Sequence, residues 1–269
     1  MKEFGELQRH LTSLGRVMLG YSGGVDSTVL AVAGARALGP KRFLAVTGRS
    51  SSLAEEQAEC AVELAQRFAI PLLKLDTREL EDPRYLRNST DRCYFCKSEL
   101  WTRLGAVARE RGFDLIIDGT NADDLGEHRP GLRAADEQGV RSPLAELGWT
   151  KSDVRHAARE LGLPIWNAPA SPCLSSRVAY GLKITAERLR QVERGESFLR
   201  SLGIGGDLRV RHHGEKARLE VAPDQMERVR TQWDAIDAEF SALGFDVVEL
   251  DPNGYRRGGL LALAPHAPS

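Results

Sequence analysis

Short apolar runs alternate along the first part of the chain with stretches in which apolar residues recur every three or four positions. The runs have the length of buried strands and cover residues 16–21, 43–47, 72–75 and 115–118. Helical spacing covers residues 26–38, 53–68, 91–111 and 150–161. Strands that alternate with helices predict a parallel sheet with helices on both faces, which is an α/β fold.

The pattern changes after residue 162. Residues 163–177 (LPIWNAPASPCLSSR) contain several prolines and small polar residues, which is typical of a linker. Beyond it, helical spacing over 185–202 and 223–243 is combined with strand-like runs at 207–212, 216–221 and 246–250. This order favours a small α+β unit. We therefore predict a first domain over residues 1–170 and a second over residues 171–269.

Composition and charge narrow the class of protein. The chain has 269 residues, 42% of them hydrophobic and 28% charged, with 37 Lys and Arg against 38 Asp and Glu. These values exclude a disordered or collagen-like chain. A near-neutral chain is not expected to bind long nucleic acid as its main task. No segment approaches the about 18 apolar residues of a membrane span, and the first 16 residues lack a signal peptide's apolar region, so we expect a cytoplasmic protein without a membrane partner.

The segment SGGVDST at residues 22–28 lies between the first predicted strand and the first predicted helix. Glycines there let the backbone approach a ligand, and the free N–H groups of a helix start attract anions, which favours a phosphate site. The segment matches neither the Walker pattern nor the G-x-G-x-x-G turn. The carboxylate of Asp26 would repel phosphate unless Mg²⁺ lies between them. The candidate ATP contacts are Ser22, Gly23, Gly24, Asp26, Ser27 and Thr28.

A second polar segment, GTNADD at residues 119–124, follows the predicted strand 115–118. It therefore lies at the carboxyl end of a parallel strand, where open α/β sheets bind ligands. The candidate nucleotide contacts in it are Gly119, Asn121 and Asp124. Thr47 and Arg49 follow the second strand at the same edge and could flank adenine or a phosphate.

The four cysteines lie in different predicted elements of the chain. Cys93 and Cys96 have chelate spacing at a helix start, which favours thiolate, and Cys173 in the linker could supply a third ligand. Three thiolates with one open position suit a [4Fe-4S] cluster, while zinc with His128 as fourth ligand is the alternative. We expect Cys60, within a helix, to be a core residue.

The SGGVDST loop resembles the PP-loop of the ATP pyrophosphatase superfamily. Together with the linker segment PCLSSR (residues 172–177) and the α+β unit that follows, it makes nearly the whole chain similar to the LarE family of ATP-dependent sulfur transferases. The resemblance implies an adenine nucleotide alpha hydrolase-like first domain and a second domain for substrate binding and oligomerisation. It also implies the family's substrate, pyridinium-3,5-biscarboxylic acid mononucleotide. Its carboxylates become thiocarboxylates in the nickel-pincer nucleotide cofactor of lactate racemase.

The resemblance further implies that ATP adenylates a substrate carboxylate and releases pyrophosphate, with Mg²⁺ at Asp26. In single-cysteine members, the residue that matches Cys173 gives up its own sulfur. With Cys93 and Cys96 this chain resembles the three-cysteine branch, in which a [4Fe-4S] cluster carries the sulfide. Whether Cys173 is a sacrificial donor or a cluster ligand therefore stays open.

Four residues beyond the linker cysteine are candidates for the substrate. Ser176 and Arg177 would lie near the reacting carboxylate. Arg209 and Arg211 alternate along a predicted strand, so both guanidinium groups would face one side and could hold the substrate phosphate. The family resemblance also implies a homo-oligomer, specifically a hexamer.

Three rival functions would fit some of the same residues. A PP-loop tRNA thiolase is the main alternative, although the near-neutral second domain does not favour binding of RNA. A ligase such as an NAD synthetase would leave the clustered cysteines without a purpose. A nucleotide- and cluster-binding module without turnover is the third, and it would show no substrate-dependent release of pyrophosphate.

Overall fold

The computed structural model describes residues 2–126, 130–169 and 171–256. The chain forms two compact units, the first comprising Met1–Glu79 and Cys93–Ser171 and the second Leu80–Arg92 and Pro172–Ser269. The chain passes from the first unit to the second between Ser171 and Pro172, and the segment 80–92 also groups with the second unit, which the sequence pattern did not indicate. The roles expected for the two domains stay predictions.

The first unit is built on a four-stranded parallel sheet with the order β3-β2-β1-β4. Its strands are β1 (Val17–Gly20), β2 (Phe43–Arg49), β3 (Leu72–Asp76) and β4 (Leu115–Ile117). Val17 lies opposite Phe43 on one side and Leu115 on the other, so β1 is a central strand. The helices that accompany the sheet are α1 (Phe4–Ser13), α2 (Val25–Leu38), α3 (Glu55–Arg67), α5 (Arg92–Arg111), α6 (Pro130–Glu137), α7 (Pro143–Glu146) and α8 (Lys151–Glu160). The predicted α/β fold is confirmed.

Alternate residues of β1 enter two different hydrophobic cores. Val17 and Leu19 pack with residues of α1, α2 and α8, whereas Met18 packs on the other face with residues of α5 and α6. All three side chains are fully buried. Burial on both faces is what a parallel sheet requires, and it explains why these strands are continuous apolar runs.

Three helices of the first unit were not predicted. In α1, Leu7 and Leu11 are the buried positions, one turn apart, and no side chain caps its start. The helices α6 and α7 have eight and four residues, which is too short for the apolar period to stand out. Among the described residues, no helix combines the length and the apolar composition needed to cross a bilayer.

The second unit has a three-stranded sheet with the order β5-β6-β7. Strands β5 (Leu208–His212) and β6 (Lys216–Val221) are antiparallel, while β7 (Val247–Leu250) runs parallel to β6. Its helices are α4 (Pro83–Leu86), α9 (Ala186–Ser201), α10 (Met226–Thr231) and α11 (Trp233–Ala242). The predicted α+β unit is confirmed.

The single helix predicted over residues 223–243 is wrong. The segment begins as a 3₁₀ turn at Pro223–Gln225 and is interrupted at Gln232, which has φ −112° and ψ 17°. The side-chain amide of Gln232 donates to the carbonyl oxygens of Leu202 and Arg228, at 3.3 and 3.4 Å. These bonds hold the chain at the interruption, and an apolar period cannot reveal such a tertiary contact.

Buried side chains, Asn88 among them, attach segment 80–92 to the rest of the second unit. Asn88 has a φ of +54° and no exposed surface. Its amide nitrogen donates to the carbonyl oxygens of Val178, Ala179 and Leu182, at 3.2, 2.8 and 3.0 Å. The guanidinium group of Arg92 lies 5.0 Å from the ring centroid of Tyr180. Together these contacts fix the chain around residues 178–182.

Candidate functional site

The glycine loop after β1 has a conformation that only glycine accommodates. Gly23 has a φ of +75°, and a Cβ atom there would lie 2.6 Å from the Cβ of Ala61 in α3. The next residue, Gly24, precedes α2 and offers no side-chain cap. Since the first N–H groups of a helix have no intrahelical acceptor, the start of α2 presents backbone donors suited to an anion.

The hydroxyl groups of the loop bond to the loop itself. Ser27 and Thr28 are buried, and their hydroxyls donate to the carbonyl oxygen of Gly24 at 3.0 and 2.9 Å. The hydroxyl oxygens of Ser22 and Ser27 are 3.1 Å apart. These bonds hold the loop in shape. Direct contacts from Ser22, Ser27 and Thr28 to ATP stay predictions.

Asp26 joins the two polar segments that the sequence singled out. One carboxylate oxygen accepts a hydrogen bond of 3.0 Å from the side-chain amide of Asn121, and the other forms an ion pair with the ammonium group of Lys151. The Asp26 side chain is 21% exposed, so a ligand can still reach it. Gly119 shows how closely the segments meet, because a Cβ atom there would lie 2.9 Å from the backbone nitrogen of Ser27.

The segment that contains Asn121 is itself rigid. Asn121 and Asp124 form reciprocal side-chain to backbone bonds around a short 3₁₀ turn. Before them, the buried carboxylate of Asp118 accepts hydrogen bonds from Thr120 at 2.9 and 3.0 Å and from the hydroxyl of Ser142 at 2.7 Å. The amide of Asn121 is therefore held in place before any ligand binds.

Sequence reasoning missed Lys151, for which it predicted only a place near the start of a helix. The residue is the first of α8, after the cap Thr150, and its backbone N–H donates to Asp123 at 2.8 Å. A signal was present in the sequence. A lysine in the first turn lies at the positive end of the helix dipole, where a cation is unfavourable, so such a residue needs another reason to be there.

Thr47 and Arg49 lie at the carboxyl end of β2. Thr47 is buried, whereas Arg49 extends to the surface and donates to both carboxylate oxygens of Asp76, at 2.7 and 2.9 Å. Hydrogen bonding to Arg49 lowers the pKa of Asp76 and raises the pKa of Arg49. Arg49 therefore joins the ends of β2 and β3, and its expected contact with the nucleotide stays a prediction.

Cys93 and Cys96 lie in the first turn of α5. Cys93 is exposed and Cys96 is half-buried, and the spacing of three places both on one helix face. The start of α6 packs nearby, since a Cβ atom at Gly131 would lie 3.8 Å from the carbonyl oxygen of Cys93. The pair can therefore supply two thiolates to one metal centre. His128, the alternative zinc ligand, lies outside the described residues.

Across residues 2–126, 130–169 and 171–256, no group of three or more His, Cys, Asp and Glu side chains is close enough together to hold a metal ion.

Cys60 was predicted to be a core residue, which is wrong. It is half-buried on α3, whereas the next residue, Ala61, is the one that enters the core. Burial, followed by the charges of Glu63 and Glu56, raises the pKa of its thiol.

In the second unit, Cys173 is half-buried and immediately precedes a short 3₁₀ helix, Leu174–Arg177. The buried guanidinium group of Arg177 donates to the carbonyl oxygen of Cys173 at 2.9 Å and to the hydroxyl of Ser176 at 3.1 Å. Its other side pairs with Glu196 in α9 at 3.0 Å. Arg177 thus determines the shape of the cysteine loop.

The two arginines of β5 share one strand face and are both buried. Arg211 donates to Glu220 at 2.9 Å and to the carbonyl oxygen of Ser176 at 3.0 Å, so its charge is already balanced. The guanidinium of Arg209 lies 5.2 Å from the ring centroid of Tyr255. Burial, followed by repulsion from Arg177, lowers the pKa of Arg209. An anion at Arg209 would relieve that repulsion.

A parallel sheet whose first strand ends in a glycine loop, followed by an uncapped helix start and a carboxylate, is the arrangement expected of an ATP-using enzyme of the PP-loop class. The sequence profile of the NAD synthase family matches residues 6–103, which contain this loop.

Relatives cover nearly the whole chain. The chain is 43% identical to an uncharacterised protein of Synechocystis over 94% of this chain and 95% of that protein. It is 35% identical to the pyridinium-3,5-bisthiocarboxylic acid mononucleotide synthase of Lactiplantibacillus plantarum over 92% of this chain and 90% of that protein. A GMP synthase of Aeropyrum pernix is 30% identical over 70% of this chain and 40% of its own length. The chain therefore belongs to the LarE family of ATP-dependent sulfur transferases.

Proposed function

We propose that this enzyme adenylates the carboxylates of pyridinium-3,5-biscarboxylic acid mononucleotide with ATP and converts them into thiocarboxylates. The observation that carries the proposal is the 35% identity, over 92% of this chain, to a protein named as the synthase of the bisthiocarboxylic acid product. The chemistry supports it as well. A carboxylate is a poor electrophile, and adenylation gives it AMP as a leaving group.

In this proposal the glycine loop and the segment at 119–124 bind ATP. Backbone N–H groups of Gly23, Gly24 and the first turn of α2 stabilise the charge of the departing pyrophosphate. Asp26 would hold Mg²⁺, because it is a carboxylate beside those donors with 21% of its side chain exposed, and the metal would offset the negative charge of the phosphates. The other proposed ATP contacts are Ser22, Ser27, Thr28, Thr47, Arg49, Gly119, Asn121 and Asp124.

The second unit contributes the proposed substrate contacts. Arg209 and Arg211 lie on one strand face. Burial, followed by repulsion from Arg177, lowers the pKa of Arg209, so a bound phosphate would stabilise its charged form. Ser176 and Arg177 follow Cys173 directly and would orient the carboxylate that reacts. This combination favours a small anionic mononucleotide over a polynucleotide.

Cys93, Cys96 and Cys173 are the proposed ligands of a [4Fe-4S] cluster. The chemistry of the donor set supports this, because the first two thiols share one turn of α5 at its positive end and Cys173 is half-buried before a 3₁₀ helix. A cluster held there would supply sulfide as the nucleophile. In the zinc alternative the same three thiolates would hold the metal with His128 as fourth ligand. A sacrificial Cys173 is the separate alternative for the source of the sulfur.

The function is tested by pyrophosphate release from anaerobically purified protein. We expect release that requires both ATP and the mononucleotide, with a product whose mass shows oxygen replaced by sulfur. Asp26→Asn should reduce the rate at least about 100-fold, since the carboxylate that would hold Mg²⁺ is lost. Release that depends on tRNA instead of the mononucleotide would contradict the proposal and favour the thiolase.

The sulfur source is tested separately. Anaerobic protein should be brown, with the broad visible absorption of thiolate-bound clusters, and Cys93→Ala or Cys96→Ala should remove the colour. Cys60→Ala is the matched control and should leave it unchanged. Colourless protein with stoichiometric zinc would contradict the cluster. Mass spectrometry of the chain after one turnover then distinguishes the two roles of Cys173, because a sacrificial cysteine loses the mass of H₂S.

A further inference from the structure

Arg92, the first residue of α5, is a buried cation outside the sites proposed above. Only 4% of its surface is exposed, and its Nε is buried without a hydrogen-bond acceptor among the described residues. We propose that Arg92 is a specificity residue of the substrate site, which binds the pyridinium carboxylate that is not being adenylated. This deepens the proposed function and rests on its choice of substrate, but not on the source of the sulfur.

The first argument is the missing negative charge. Arg177 and Arg211, two other buried arginines of the second unit, each pair with a buried carboxylate, at 3.0 and 2.8 Å. Among the described residues Arg92 has no carboxylate partner, and its one acceptor is the side-chain oxygen of Asn88. Burying an unpaired charge is costly, and the contact with the ring of Tyr180 offsets only part of that cost. A neutral donor would avoid it, so a bound anion explains the choice of arginine.

The second argument is the geometry of the unused donors. Nη1 of Arg92 donates to Asn88, whereas Nε and Nη2 make no hydrogen bond to any residue that the structure describes. These two nitrogens form the edge of a guanidinium group that binds a carboxylate through two parallel hydrogen bonds. Arg49 uses the same pair of nitrogens on Asp76, at 2.7 and 2.9 Å. The ligand that fits the free edge of Arg92 is therefore a carboxylate.

The third argument is position within the second unit. Arg92 belongs to the same compact unit as the proposed substrate contact Ser176. Its guanidinium carbon lies 5.0 Å from the ring centroid of Tyr180, four residues beyond Ser176. Tyr85 holds the segment against this loop, since its hydroxyl oxygen is 2.5 Å from that of Ser175. Tyr180 is half-buried, so rotation of its side chain would open the edge of Arg92 to a carboxylate, and such rotations are common on binding.

The fourth argument is the chemistry of the proposed substrate, which has two carboxylates on one ring. While one of them is adenylated, the other is a free anion that needs a partner. After the first transfer, the new thiocarboxylate is also an anion and can take the same place while the second carboxylate reacts. One guanidinium edge would thus orient the ring in both rounds. It would also disfavour a mononucleotide with a single carboxylate, because the buried charge would then stay unpaired.

The test compares two ligands by calorimetry on the anaerobically purified full chain, without ATP, so that neither ligand can react. The ligands are the biscarboxylic acid mononucleotide and pyridinium-3-carboxylic acid mononucleotide, which lacks one carboxylate. We expect the wild-type chain to prefer the first roughly 10- to 100-fold, since a charged hydrogen-bonded pair is gained. Arg92→Gln, which can still donate to Asn88, should bring this ratio close to one. Arg92→Lys should keep only part of the preference, because it retains the charge but loses the planar edge.

Arg87→Gln is the matched control, because it removes an exposed cation from the same segment, and it should leave both affinities unchanged. An unchanged ratio in Arg92→Gln, whether or not both affinities fall, would overturn the role of Arg92 and leave the proposed substrate intact. Equal affinities in the wild-type chain would overturn it as well, which decides the matter even if the variants do not fold. If the wild-type chain binds neither ligand, the proposed substrate itself is wrong and the role of Arg92 fails with it.

Discussion

At the scale of single residues, Gly23 determines whether the phosphate loop can form. Its φ of +75° and its close approach to Ala61 are two independent reasons why this position requires glycine. An L-residue in the left-handed region is strained, and a side chain there would also push α3 away from the loop. The site therefore depends on a residue that carries no chemistry of its own.

Gly23→Ala should destabilise the protein by about 2 to 4 kcal/mol, because left-handed strain and overpacking act together. Gly139→Ala is the matched control, with a φ of +67° and no atom within 4 Å of the added Cβ. It should cost only about 1 kcal/mol. Denaturant unfolding measures both. Equal losses would contradict a role for the contact with Ala61.

His212 in β5 should make the second unit sensitive to acid. Burial, followed by repulsion from Arg188, lowers its pKa to about 4. Its Nε2 lies 2.9 Å from Gln191 Oε1, and its Nδ1 accepts from Gly214, which suits the neutral ring. In the unfolded chain the ring takes up a proton near pH ~6.5. Between those pH values the unfolded state binds more protons, so stability falls as the pH falls.

Between pH 7 and pH 5 we expect His212 to account for roughly 1 to 2 kcal/mol of lost unfolding free energy, allowing for partial screening by solvent. His212→Gln should therefore flatten the pH profile of stability over this range. Burial also lowers the pKa of His213, so some acid sensitivity should remain. An unchanged profile in His212→Gln would contradict the assignment.

At the scale of elements, a capped helix start stabilises the fold and can also position a side chain of the candidate site. Thr150 caps α8 and thereby sets the position of Lys151, while Thr185 caps α9 in the second unit through a 3.2 Å bond from the N–H of Arg188. The two caps have similar chemistry but different neighbours. They can therefore separate the stability of a helix from its effect on the site.

Thr150→Ala and Thr185→Ala should each cost about 1 kcal/mol of unfolding free energy, the usual loss for an N-cap. Only Thr150→Ala should also weaken ATP binding, because the start of α8, where Lys151 pairs with Asp26 of the glycine loop, would fray. Thermal unfolding and ATP calorimetry on both variants check this. Equal ATP affinities would contradict the link between the cap and the site.

At the scale of the whole molecule, the second unit is assembled from two separate parts of the chain. The chain leaves the first unit after residue 79 and returns at residue 93. Asn88 connects the intervening segment to residues 178–182 by three hydrogen bonds from a fully buried amide. The cysteine loop that follows Pro172 belongs to the same unit.

Asn88→Ala should lower the unfolding free energy by about 3 kcal/mol, since three buried carbonyl oxygens lose their donor. Asn88→Gly removes the same amide but relieves the positive φ, so it should be less destabilising than Ala. Denaturant unfolding of the full chain compares them. Wild-type stability in Asn88→Ala would show that segment 80–92 does not depend on this residue.

The sequence by itself determined the local structure and the residue chemistry. The apolar runs predicted the seven strands found among the described residues, because strands of a covered parallel sheet are largely apolar and strands of a small α+β unit alternate. The loop at residues 22–28 was recognisable because its glycines and its place before a helix are properties of neighbouring residues. The segment at 119–124 was found for the same reason.

Only the tertiary structure decided which distant residues meet. Asp26 contacts Asn121 and Lys151, which are 95 and 125 positions away along the chain. Arg49 pairs with Asp76, and segment 80–92 joins the second unit. The physical reason is that periodicity and short motifs record each residue's immediate surroundings. Contacts across the chain depend on how complete strands and helices pack, and only the folded chain specifies that packing.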